Sequence, residues 1–221
     1  MVRKVNSFEK RIRETLRILK KLYPKNLRPW ARRSKPFFTL IGTILSAQTT
    51  DAQVDQVTPK LFRQYPTPTK LASARVSDVE KIIKPVGLHK AKSKSIIAIA
   101  RMLRDEFDSK VPAVRPELMR LPGVGRKTAN VVLIKSFGTN AMPVDTHVFR
   151  VANRIGLAKG KTPKDVEAGL ERIIPERVLG AAHFWLIHHG RTLCTARSPK
   201  CNECPLARLC EYALMSLRVT K

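Results

Sequence analysis

Leu121-Pro122-Gly123-Val124-Gly125-Arg126-Lys127-Thr128-Ala129-Asn130 lies where one helical pattern, over 117–121, gives way to another, over 127–137. Two glycines one residue apart permit a tight turn with positive φ and leave backbone amides uncovered. If Arg126-Lys127-Thr128 opens the second helix, those amides and the helix N-terminus form an anion site the size of a phosphate. A lone Gly-x-Gly would be read as a plain interhelical turn. Lys127 changes that reading, because it stands just past the turn, near the positive end of the helix and beside Arg126. Both neighbours disfavour its protonated form, and burial would do so further. A lysine so placed is a nucleophilic amine at neutral pH.

Asp145, in Pro143-Val144-Asp145-Thr146-His147, follows Lys127 by eighteen residues, enough for one helix and a return loop. The two side chains can therefore meet. An Asp before a helix is also an N-cap, with a stability value of about 1 kcal/mol. Both roles are compatible, since a cap fixes the carboxylate in place. His147 reads as support for the helix or the site.

Working outward, the periodic segments are helical. Phe8, Ile12, Leu16, Leu19 and Leu22 recur at three- and four-residue steps, with Ser7 as the candidate N-cap and Tyr23-Pro24 as the stop. Phe37–Leu45 is apolar enough for a buried helix. Val79, Ile82 and Ile83 mark a short one ended by Pro85 and Gly87, and 91–107 a longer one, with Pro112 and Pro116 punctuating the connection that follows. Further patterns cover 146–155, 163–174 and 178–190. Strand alternation bounded by hairpin turns is missing throughout, so the predicted class is all-α.

Composition narrows the function. Of 221 residues, 43 are Lys or Arg and 17 Asp or Glu, a net charge of +26. A chain this basic favours a polyanion, because each cation set on a phosphate releases a condensed counterion. No segment approaches the ~20 apolar residues of a membrane span. The N-terminus has no apolar run before a cleavage site, which predicts an intracellular protein, cytoplasmic and nucleoid-associated. The four cysteines, Cys194, Cys201, Cys204 and Cys210, are spaced C-x6-C-x2-C-x5-C. Without a secretory signal they read as metal ligands better than as disulfides. Four thiolates in one loop suit a [4Fe–4S] cluster. Tetrahedral zinc competes, although four-cysteine zinc sites usually show two close pairs and only Cys201 and Cys204 form one here. Arg197, Lys200 and Arg208 lie in the same loop, where they are candidate phosphate contacts. For His183, His188 and His189, on the helix before it, metal ligation and ordinary packing are both open.

At the hairpin, at Val144-Asp-Thr-His-Val-Phe-Arg150, at Leu45-Ser-Ala-Gln-Thr-Thr-Asp51 and at the cysteine loop, the chain resembles the helix-hairpin-helix DNA glycosylases, in particular their iron–sulfur, endonuclease III branch. The resemblance spans most of residues 30–210. It implies a two-lobed fold: a six-helix barrel over 29–139, and an iron–sulfur lobe of 1–28 with 140–221. DNA would lie across the groove between the lobes. The implied nucleophile is Lys127, with Asp145 as the carboxylate that assists it. Leu121, Gly123, Gly125 and Arg126 of the hairpin would bind backbone phosphate, with Arg197 and Lys200 from the cysteine loop. Gln48 and Leu88 would fill the gap left by an extruded nucleotide. Read without the resemblance, Leu88 suits core packing after the Gly87 turn and Gln48 suits the surface.

The implied activity is release of oxidised pyrimidines followed by strand cleavage, carried out by a monomer on double-stranded DNA. A glycosylase that activates water has no need of the lysine, so Lys127 argues for the bifunctional branch. Two alternatives stand: a glycosylase for thymine or uracil opposite guanine, and a non-catalytic DNA-binding protein. Ile134-Lys135 and His89 depart from the family pattern, where small or polar residues and an aromatic are commoner. Both departures bear on which lesion is preferred.

Overall fold

A computed structural model of the chain describes residues 7–24 and 35–216, and among them are twelve α-helices and no strand. The chain divides into two compact units, Trp30–Thr139 and Met1–Pro29 with Asn140–Lys221. The expected lobe boundary at 28/29 lies outside the described residues. No described helix is long and apolar enough to cross a membrane.

The first helix, α1 (Ser7–Leu22), buries Ile12, Thr15 and Leu19 on one face. Ser7 is its first residue, one position inside the expected cap.

The unit of residues 30–139 contains α2 (Pro36–Leu45), α3 (Asp51–Gln64), α4 (Pro68–Ala72), α5 (Val76–Ile83), α6 (His89–Glu106), α7 (Arg115–Leu118) and α8 (Arg126–Val132). Their apolar faces form one core, with Leu40, Ile41, Leu45, Leu61, Ile83, Ile96 and Leu103 wholly or almost wholly inside. Removing so many branched side chains from water is the main force holding the unit together. Helix α3 went unread in the sequence because Pro59 interrupts its period. A capping box starts it instead: Thr50 accepts from the Gln53 amide while Gln53 reaches back to the Thr50 amide. Val54, Val57 and Leu61 then supply the buried face. The helix expected over 127–137 is α8 followed by a wider π turn, Leu133–Phe137, which Gly138 ends in the left-handed conformation.

The other unit adds α9 (Thr146–Ile155), α10 (Pro163–Ile173), α11 (Glu176–Thr192) and α12 (Glu211–Ser216) to α1. Its core is separate and includes Leu19, Val148, Val151, Leu170, Trp185 and Leu186. Arg11 explains why a helix from the start of the chain belongs with its end. Its guanidinium donates to the carbonyls of Ile155 (3.1 Å), Gly156 (2.8 Å) and Leu209 (3.3 Å) and pairs with Glu211 at 3.2 Å. Those carbonyls are left over at the end of α9 and in the cysteine loop, where helical bonding stops.

Candidate active site and cysteine loop

The hairpin between α7 and α8 turns on two backbone bonds, from the Leu121 amide to Leu118 and from the Val124 amide to Leu121. Leu121 and Val124 are buried at 2% and 5% exposure, so their side chains anchor the turn and only the Leu121 backbone is left to meet a ligand. The two glycines differ. Gly123 has φ +74°, which requires glycine or strain. Gly125 is extended (φ −84°, ψ 174°) and is the N-cap of α8, without a side chain to cover the first amides. Lys127 is exposed on that first turn, so the burial foreseen for it is absent.

Asp145 is the N-cap of α9, and its Oδ1 accepts from the Val148 amide at 2.8 Å. Among the described residues Oδ2 has no hydrogen-bond partner. The cap therefore fixes the carboxylate and leaves one oxygen for chemistry. His147 leans on α11, its Nδ1 at 3.2 Å from an Arg150 nitrogen that also donates to the Gly190 carbonyl.

Gln48 and Leu88 are both exposed and both left-handed, with φ 52° and 59°. Neither residue type takes that conformation without cost. At 61% exposure Leu88 is an outward-facing apolar side chain, which rules out the core-packing reading. The neighbouring His89 ring lies 3.6 Å from the Glu80 carboxylate. Of the other departures from the family pattern, Ile134 is buried, and Lys135 sits in the π turn, where burial pulls its pKa below the ordinary lysine value against the opposing charge of Asp51.

The cysteine loop leaves α11 and returns through two short 3₁₀ turns, Cys201–Glu203 and Ala207–Leu209, to α12. None of the four cysteines is in a disulfide, and all four line one cavity together with Ile155, His189, Leu193 and Leu206. Two arginines of α9, which the sequence did not single out, hold the loop by its backbone. Arg154 donates to the Thr195 carbonyl (2.6 Å) and the Ala196 carbonyl (2.8 Å), and lies 3.6 Å from the Cys194 sulfur. Arg150 donates to the Cys194 carbonyl at 3.1 Å. The 150/154 spacing puts both on one helix face, the only signal that the sequence offered for them. His189 Nε2 is 3.6 Å from the Cys204 sulfur, and its Nδ1 is 3.2 Å from the Tyr23 hydroxyl. Burial pushes the His189 pKa down to about 4, so the ring is neutral. Burial also pushes the Cys204 and Cys210 thiols up, with the other cysteines adding to it. A polycationic iron centre reverses that penalty, since metals bind the thiolate. Four thiols facing one cavity, with arginine and imidazole behind them, thus fit an iron–sulfur cluster. Arg197, Lys200 and Arg208 are all exposed on the same loop.

Comparison with known proteins now bears on these two features. The family model of HhH-GPD superfamily base excision DNA repair proteins matches residues 41–176, and that of the iron–sulfur binding domain of endonuclease III matches residues 194–210. Endonuclease III of Rickettsia conorii is 51% identical over 176 residues, covering 80% of this chain and 84% of its own length. The Escherichia coli K12 endonuclease III is 43% identical over 199 residues, covering 89% and 94%. Among solved structures, a trapped endonuclease III–DNA covalent intermediate superposes with a TM-score of 0.86 at 40% identity, over 95% of this chain and 99% of that one. A thermostable thymine-DNA glycosylase gives 0.81 at 25% identity, over 93% and 98%. The chain belongs to the HhH-GPD superfamily of base excision DNA repair proteins and, within it, to the endonuclease III family. It is a DNA glycosylase that acts on DNA, and its implied cofactor is a [4Fe–4S] cluster.

Proposed function

We propose that this glycosylase is bifunctional, removing oxidised pyrimidines and then cutting the strand through Lys127. The observation that carries the reading is an exposed lysine on the first turn of the helix that follows the hairpin. The target base is out of reach inside a duplex, so the nucleotide must be turned out first. The free amine of Lys127 attacks C1′ of its sugar, and the bond to the base breaks with its electron pair leaving on the base. Ring opening gives an iminium, which acidifies the C2′ hydrogens. Loss of one of them expels the 3′ phosphate by β-elimination, and water then releases the lysine. Asp145, through the oxygen its cap leaves open, takes the proton of the ammonium or steadies positive charge at C1′. The amides after Gly123 and Gly125, with Arg126, hold a backbone phosphate, while Gln48 and Leu88 fill the vacated position.

Cys194, Cys201, Cys204 and Cys210 would hold the cluster, whose iron–thiolate bonds would tie the loop down and present Arg197, Lys200 and Arg208 to DNA. The protein works as a monomer, in the compartment that holds the genome. The solved relative trapped covalently on DNA supports an amine that bonds to the sugar. The likeness to a thymine-DNA glycosylase favours a guanine–thymine mismatch as the second substrate.

Borohydride trapping on a duplex with one thymine glycol tests this, for wild type and Lys127→Ala. A covalent adduct from wild type alone is expected. Adducts from both proteins would move the amine elsewhere, and none from either on thymine glycol or on a mismatch would end the bifunctional reading.

A further inference from the structure

Lys92 is a charged residue with 6% of its surface exposed, on a helix whose neighbouring lysines, Lys90 and Lys94, are at the surface. The ammonium donates to the carbonyls of Leu45 (2.8 Å) and Ala47 (2.5 Å) and to the Thr49 hydroxyl (2.8 Å). An ammonium has three hydrogens, and each is used. Leu45 is the last residue of α2, so the charge also sits at the negative end of that helix. Burying a cation is costly unless it is fully bonded, which makes this arrangement hard to rearrange.

What the lysine bonds to is telling. Ala47 and Thr49 flank Gln48, the exposed residue at φ 52°. The Lys92 main-chain amide makes the first bond of α6, to the carbonyl of Leu88, the exposed N-cap residue at φ 59°. The ammonium thus ties the Gln48 loop to the helix that Leu88 caps. Two further contacts close the same seam. The Gln53 side-chain Nε2 donates to the Pro85 carbonyl at 3.1 Å. At Gly87 the Gln48 carbonyl stands 3.0 Å from where a Cβ would lie, so the Gln48 loop and the Leu88 turn pack backbone on backbone.

We infer that Lys92 is a positioning residue that locks the Gln48 loop and the Leu88 turn into one rigid wedge, so that the two side chains enter the duplex as a unit. This rests on the reading of Gln48 and Leu88 as the residues that fill the vacated position. A wedge matters only where there is a stack to replace; an abasic site in single-stranded DNA needs none.

The test is single-turnover cutting of an abasic site in duplex and in single-stranded DNA, by wild type and Lys92→Met. The duplex rate should fall on the order of tenfold or more and the single-strand rate stay within about twofold, because only the duplex requires extrusion. An equal fall on both substrates would make Lys92 a support of the whole fold, and no fall on either would make it idle; each overturns the inference. Should Lys92→Met fail to fold, the surface variants Gln48→Ala, Leu88→Ala and their double carry the test. A rigid unit predicts that the double loses less than the product of the singles, by a factor of about five or more. Losses that simply multiply would overturn it. Failure of the underlying reading looks different: single variants that cut duplex as fast as wild type show that these residues are no wedge, and the inference falls with it.

Discussion

The turn at Gly123 and the turns at Gln48 and Leu88 meet the same backbone demand, with φ of 74°, 52° and 59°, and they meet it with opposite residue types. In the hairpin the chain uses glycine, which takes this conformation freely and keeps the surface bare. In the other two turns it uses side-chain-bearing residues, at a strain of about 1 kcal/mol each or more. A backbone site for phosphate needs nothing in front of its amides. A wedge needs a side chain at the apex, and both Gln48 and Leu88 are exposed. Under the proposed roles, glycine or its absence marks which turn offers backbone and which offers a side chain.

The comparison is sharpened most by another left-handed turn, at Gly156, where φ is 81°. Here there is no open space: a Cβ would overlap the Glu211 carboxylate, which Arg11 and Lys159 hold in place. At Gly123 nothing lies within 4 Å of the same position. Gly123→Ala should then lose only the backbone preference, about 1 kcal/mol, whereas Gly156→Ala adds displacement of a paired carboxylate for a total of about 3 kcal/mol. Chemical denaturation of the two variants measures the difference, and equal losses would mean that Glu211 yields without cost. Acid titration adds a second check. Lys159, and after it Arg11, hold the Glu211 carboxyl below its ordinary value of 4.5. A depressed carboxyl stabilises the fold above its unfolded value and loses that contribution as pH falls through the folded one. Wild type should show this loss below about 4.5, and Gly156→Ala, with the pair already displaced, should show less of it.

Leu88→Gly separates strain from function at a single residue. The side chain is mostly in water, so its removal gives up little burial. Relief of the left-handed backbone should leave the protein as stable as wild type or up to ~1 kcal/mol more so. Over the same change the rate on duplex DNA should drop on the order of tenfold. A variant that lost both stability and activity would show that Leu88 packs as well as wedges.

How much of this was legible depended on how local the signal was. The hairpin and the helices at 36–45, 76–83, 146–155 and 163–173 could be read because apolar spacing and glycine carry their own geometry. Helix α3 was hidden by Pro59, although Thr50 and Gln53 announced its start; capping is a stronger mark of a helix here than periodicity. The motif around Asp145 drew attention to the carboxylate, and the structure adds that one oxygen is committed to the cap. Lys92 could not be read at all. It is one lysine among many, and what distinguishes it is three acceptors 43 to 47 residues away in sequence. Arg150 and Arg154 were hidden for the same reason, since their partners are backbone carbonyls, which every residue possesses.

The smallest structural change should give the cleanest answer about the hairpin. Gly125 is extended, and a Cβ there would touch nothing. For the fold alone, alanine trades a poorer N-cap, at a cost of about 1 kcal/mol, for a stiffer unfolded chain that returns 0.4–1 kcal/mol, so stability should move by roughly 0.5 kcal/mol or less. Within the protein, then, little requires glycine at this position. If a phosphate approaches the first amides of α8, the added methyl stands in its way. Losing one charge-assisted hydrogen bond, at about 1.5–3 kcal/mol, would weaken duplex binding on the order of tenfold or more. The cations would be untouched, so plots of log affinity against log salt for wild type and Gly125→Ala should run parallel and offset. Coincident lines would show that no phosphate meets these amides and that Gly125 serves the turn alone.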